Sequence, residues 1–127
     1  VPDQMEKVMS QYARAGLLHD AEDKVMGADH AGVAGMLMEV WKLPEMLQEA
    51  VAYHHMPNQA PHYPTAASIV HVADIIANAM ELGTCGDYYV PPLNAKAWEI
   101  LDLPTNLLSS IVEQVDRQAN EAVAMFL

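Results

Sequence analysis

No stretch of this chain alternates apolar and polar residues long enough to read as a strand, whereas apolar residues spaced three and four apart recur from end to end. That periodicity admits one fold class, an all-α bundle of about six to seven helices. It is clearest after Pro104 and Thr105, where Leu108, Ile111, Val112, Val115, Ala119, Ala122, Val123 and Phe126 trace one side of a long terminal helix. Such a stripe is expected to face the core.

Punctuation residues divide the rest. Asp3 after Pro2 opens a first helix that Gly16 stops. A short helix follows Asp20, an N-cap with Asp23 as its capping-box acid, and ends at Gly27. Asp29 caps a third helix running through Trp41, and Pro44 opens a fourth that reaches about His55. "MPNQAPHYP" reads as a loop. A fifth helix covers residues 65–82 up to Gly83. "GTCGDYYVPPLN" is a second loop, and a short helix starts at Asn94.

The fifth helix, "TAASIVHVADIIANAMELG", is apolar nearly all round, as expected of a buried central element. Its polar residues Ser68, His71, Asp74, Asn78 and Glu81 form one stripe. This stripe is either the solvated face or, since it lacks the usual Lys and Arg, the lining of a site.

At 127 residues the chain is the size of one domain, residues 1–127, and its 52% apolar content is slightly high. That excess, with a start at Val1 rather than Met, suggests part of a larger protein whose missing neighbours cover an apolar surface. Six basic against 17 acidic residues give a net charge of −11, which disfavours nucleic acid and anionic membranes as partners. One cysteine, Cys85, excludes an internal disulfide or a cysteine zinc site and fits a reducing cytoplasm. Neither a membrane span nor a signal peptide is visible.

Six histidines carry the chemical interest: His19, His30, His54, His55, His62 and His71. Imidazoles with a carboxylate make a site for a divalent metal such as magnesium, manganese or iron. His30 sits at a helix start, His54 and His55 at a helix end, and Asp74 on the central helix. Adjacent residues on a helix diverge by about 100°, so His54 and His55 share a site only at a frayed end or in a two-metal cleft. The structural alternatives are ordinary. A histidine near a helix C-terminus is favoured by the dipole, and Asp29 is a plain N-cap.

"GADHAGVAGMLMEVWKLPEMLQEAVAYHH", then "SIVHVADIIANAM", resembles the HDOD domain, a bacterial signalling relative of the HD and HD-GYP phosphohydrolases. The likeness rests on Gly27, Asp29-His30, Trp41, Leu43-Pro44, Ala50, His54-His55 and His71 to Asp74. "VPPLNAKAWEILDLP" and the last helix extend it over nearly the whole chain. It implies an HD-like bundle whose N-terminal helices, with the signature His-Asp doublet, lie before Val1. His19-Asp20 stands too close to His30 to be that doublet and reads as a lookalike, whereas Glu22 fits an acid the family places before its "G-x-D-H".

Of the superfamily's metal set the resemblance assigns His30, His54, His55 and Asp74, a partial or vestigial site. The chain departs from the active phosphodiesterases after His30, where Ala31-Gly32 follow and Ala34 precedes Gly35. Met56 follows His55, and "HYP" at 62–64 lacks the glycine of the cyclic di-GMP enzymes. The resemblance therefore implies a non-catalytic, regulatory, cytoplasmic module that engages other signalling domains or proteins, with room for a homo-oligomer. A metal-dependent phosphohydrolase whose doublet lies upstream is the second reading. A helical interaction module with scattered histidines is the third.

Overall fold

Two side-chain caps, one of them anticipated from the sequence, set helix boundaries in the computed structural model, which describes residues 2–83 and 89–126. Asp29 Oδ1 accepts the Gly32 N–H at 2.8 Å and starts a helix at His30. Asn94 Oδ1 accepts the Lys96 and Ala97 N–H groups and starts another at Ala95. The helices are α1 (Pro2–Ala15), α2 (Leu18–Met26), α3 (His30–Val40), α4 (Glu45–Ala52), α5 (Pro64–Ala79), α6 (Ala95–Leu101) and α7 (Leu107–Phe126). A single 3-10 turn, Pro57–Gln59, interrupts the loop between α4 and α5. Among the described residues there is no strand, so the all-α expectation holds. Cys85, and the part of the second loop around it, fall outside the described residues.

The helices pack mainly with their sequence neighbours. α1 and α2 form a hairpin around buried Val8, Tyr12 and Ala21, with Met9, Leu18 and Val25 against them. α3 lies on α4, and α5 is central, touching α4, α6 and the 3-10 turn. Elsewhere the buried apolar set is mostly alanine: Ala31, Ala50, Ala67 and Ala97. Small residues let the backbones approach closely, and the closest approach is Gly35 of α3 on Ala52 of α4.

Three expectations need correction. Asp20 does not cap α2. The helix starts at Leu18, its N-cap Leu17 makes no side-chain cap bond, and Asp20 is a first-turn acid that the helix dipole still favours. Leu18 explains the earlier start, because it packs against the α1–α2 cluster. Second, α4 ends at Ala52, so His54 and His55 lie in a turn and not on helix. Third, the α7 stripe is not core-facing. Leu108, Ile111, Val115 and Ala119 are only half-buried, Val112 and Val123 are exposed, and among the described residues α7 has no substantial packing against another element. Periodicity reports that a helix is two-sided, not that this chain supplies the cover.

The apolar excess lies on the surface. Met36, Val40, Trp41, Ile69 and Met125 are each more than half exposed. Among the described residues no helix is long and apolar enough to cross a membrane.

Candidate functional site

The polar stripe of α5 faces inward along its first half, which overturns the solvated alternative there. Ser68 and His71 are buried, Asp74 and Asn78 half-buried, and only Glu81 is exposed. His71 uses both ring nitrogens. Its Nδ1–H donates to the His54 carbonyl at 2.8 Å, and its Nε2 accepts the Asn94 N–H at 2.9 Å. Those bonds fix the neutral tautomer. Burial holds the His71 pKa below the usual value, although its bond to His54 and the nearby Asp74 charge act the other way. The effect is to pin the His54-His55 turn to the start of α6.

That turn meets His30. Glu22, 5% exposed on α2, takes the His30 N–H at 3.0 Å and the His30 Nδ1–H at 2.6 Å on the same Oε2. The His30 Nε2 is left as an acceptor, facing His55 Nε2 at 3.0 Å, so His55 carries the proton between them. His54 donates Nδ1–H to the Val51 carbonyl at 2.7 Å. The rings pile closely: His54 and His55 have centroids 3.9 Å apart, and His30 meets His55 edge-on at 4.8 Å. Burial, then the neighbouring His54, His19 and His30, push the His55 pKa down to about 2.

The structure therefore brings together three of the four residues anticipated as a metal set. Donor nitrogens of His30, His54 and His55 lie within 4.8 Å of one another. Asp74 stands apart from that set, its Oδ1 accepting from Asn78 Nδ2 at 3.1 Å. The Nδ1–H bonds of His30 and His54, to a carboxylate and a backbone carbonyl, are the outer contacts that orient metal-bound imidazoles. An all-nitrogen set fits zinc, iron or nickel and fits magnesium poorly. His30, His54 and His55 are the residues that would hold such an ion.

His19, a lookalike of the signature doublet by its spacing, joins the cluster by ring contact. Its ring stacks on His55 at 4.2 Å and 17°, with Nε2 3.5 Å from Asp20. The signal was available: His19 and Glu22 are three apart, hence on one face of α2, and Glu22 is the residue that reaches His30. A small cleft beside this stack is lined by His19, Asp20, Asp23, Asp29, Tyr53 and His55.

The loop around "HYP" is also tied down. Glu49, 6% exposed on α4, accepts the His62 and Tyr63 N–H groups on Oε2 at 3.0 and 2.8 Å. Its Oε1 meets His62 Nδ1 at 2.8 Å. Burial opposes ionisation of Glu49, but these bonds outweigh it and its pKa lies below the ordinary value. The bond to Glu49, with the Glu45 charge, raises that of His62.

A strand-free bundle that gathers imidazoles from α2, α3 and the turn after α4, behind a buried carboxylate, is an HD-like helical domain. Residues 1–57 match the family model of the HDOD domain, from α1 to the first residue of the 3-10 turn, and over this part the chain is similar to that family. No curated protein and no solved structure matches the chain. The "HVAD" and "VPPLN" likenesses lie beyond the matched residues.

Proposed function

We propose that the chain serves as a regulatory, non-catalytic HDOD module of bacterial cytoplasmic signalling, acting through contacts with other domains or proteins. The observation that carries this reading is the uncovered apolar surface. Val33, Met36, Val40 and Trp41 stand out from α3 and its end, and among the described residues no helix packs substantially on the α7 stripe. Contiguous exposed apolar surface of this kind marks an interaction face more often than a solvated one. The HDOD match over residues 1–57 supports the signalling, HD-related part of this reading.

The convergence of His30, His54 and His55 favours a second reading, a metal-dependent phosphohydrolase. A bound ion would supply Lewis-acid polarisation of a phosphoryl oxygen and a more acidic water. The protein's own groups would orient it: Glu22 fixes His30, the Val51 carbonyl fixes His54, and His71 holds the turn. Among the described residues no carboxylate joins the three nitrogens within 4.8 Å, which leaves the donor set unlike one for magnesium.

The deciding experiment is hydrolysis of bis(p-nitrophenyl) phosphate by the chain with zinc, iron or manganese added in turn. The regulatory reading expects no turnover above the metal-only background. Metal-dependent turnover that disappears in His55→Ala would replace it with the second reading.

A further inference from the structure

A second convergence of donor atoms lies outside the histidine cluster. Glu45 and Glu49 are four apart on α4 and so share one face. Glu49 is buried and fixed, because its Oε2 is held by two backbone N–H groups of the following loop. The same loop delivers His62, whose Nδ1 sits 2.8 Å from Glu49 Oε1 and 3.5 Å from Glu45 Oε1. All three donor atoms lie within 4.8 Å of one another.

These spacings can be compared with the edges of a coordination polyhedron. With ligands at about 2.1 Å, neighbouring donors are about 3.0 Å apart in octahedral and about 3.4 Å apart in tetrahedral geometry. The observed 2.8 and 3.5 Å bracket those edges. We propose that Glu45, Glu49 and His62 form a divalent transition-metal site of the zinc class, separate from the histidine cluster.

The chemistry of the donors agrees with that class. One imidazole with two carboxylates is a mixed nitrogen and oxygen set, common for zinc, and its two formal negative charges match a divalent cation. Glu49 Oε2 stays occupied by its amide bonds, and Oε1, which meets His62 Nδ1 at 2.8 Å, becomes a donor together with that nitrogen once a metal displaces the shared proton. Glu45 and His62 are exposed, so the remaining positions are open to water. The donors border a cleft of about 480 Å³ that Gly32, Gly35, Gln48 and Pro61 help to line. An oxygen-bearing ligand of the metal has room there.

The test is zinc binding by the full chain after chelator treatment, read by calorimetry and by metal content. In a His30→Ala/His55→Ala background one equivalent of zinc is expected to remain. Adding Glu45→Gln or His62→Asn should weaken it by at least the roughly 10- to 100-fold that follows loss of an outer contact to a metal ligand. Glu45 is exposed and buries nothing, so its substitution leaves folding intact. Independently of any variant, zinc added to the wild-type chain should shift the His62 ring resonances. The site is refuted if saturating zinc leaves those resonances unmoved, or if Glu45→Gln and His62→Asn both bind zinc as tightly as their parent. Either result would leave the regulatory and phosphohydrolase readings untouched, since neither uses these residues.

Discussion

Gly35 lies against Ala52 with no space for a side chain: a Cβ on Gly35 would come within 2.6 Å of the Ala52 Cβ and 3.3 Å of its Cα. This contact sets the separation of α3 from α4, and Ala52 is the last residue of α4 before the His54-His55 turn. The distance between His30 and His55 is thus fixed partly by a missing methyl group. In an open helix, Gly→Ala gains about 1 kcal/mol from propensity. Here the overpacking cost of about 1–3 kcal/mol should exceed it, because the obstacle is a short side chain on backbone that cannot swing away. Gly35→Ala should therefore lower the urea midpoint and loosen the 3.0 Å His30–His55 contact, seen as altered ring resonances. An unchanged or higher midpoint would mean that α3 and α4 part freely.

Glu22 makes the complementary bond from behind. A single Oε2 holds both the backbone and the ring of His30, from a site 5% exposed. Glu22→Ala strips two donors of their acceptor at once and should cost about 1–3 kcal/mol. Glu22→Gln keeps one acceptor and should cost less. The diagnostic readout is the His30 tautomer by nitrogen NMR. The proton sits on Nδ1 in the wild type and should redistribute to Nε2 in Glu22→Ala. A retained Nδ1–H tautomer in that variant would show that Glu22 does not set it.

Much of this was legible beforehand. Capping by Asp29 and the helical class follow from local side chains and spacing, and the family resemblance had already grouped His30, His54 and His55. What was not legible depended on tertiary neighbours. The early end of α4 is decided by where the Glu49–His62 clamp and the His71 bond hold the chain, and those partners are 13 and 17 residues away from the atoms they bind. The α7 stripe has the right period for a buried helix, yet periodicity cannot say whether a partner exists. The sequence distance from His19 to His30 excludes a signature doublet, but distance along the chain says nothing of ring stacking across helices.

The packed imidazoles make stability depend on pH. The pKa of His55 is held at about 2 and that of His71 is lowered, against an unfolded value of 6.5. Both groups are neutral in the fold. Their contribution is therefore present above pH 6.5 and declines as pH falls below it, because the unfolded chain binds the protons first. His62 acts in the opposite sense. Its pKa is raised, so its contribution is complete below 6.5 and fades as pH rises through the folded value. It is solvent-exposed and its effect is small. Melting temperatures at pH 7.5, 6.5 and 5.5 should fall in that order, and His55→Gln should flatten the series. A series that is level or rises toward pH 5.5 would contradict neutral burial of these rings.

Ser68 supplies the last test, one turn before His71 on the inward face of α5. Its hydroxyl is fully buried and has no hydrogen-bond partner among the described residues. A buried hydroxyl without a partner costs about 1–3 kcal/mol relative to one exposed to water. Ser68→Ala removes that oxygen at the expense of a void smaller than a methylene, and alanine is also the better helix former by a few tenths of a kcal/mol. The substitution should raise stability by about 1 kcal/mol, visible as a higher urea midpoint with unchanged slope. The His71 bonds to the His54 carbonyl and the Asn94 N–H do not involve Ser68, so the ring resonances of the histidine cluster should stay in place. A destabilised Ser68→Ala would show that the hydroxyl is bonded in solution. The inward face of α5 would then be wetter than its packing implies.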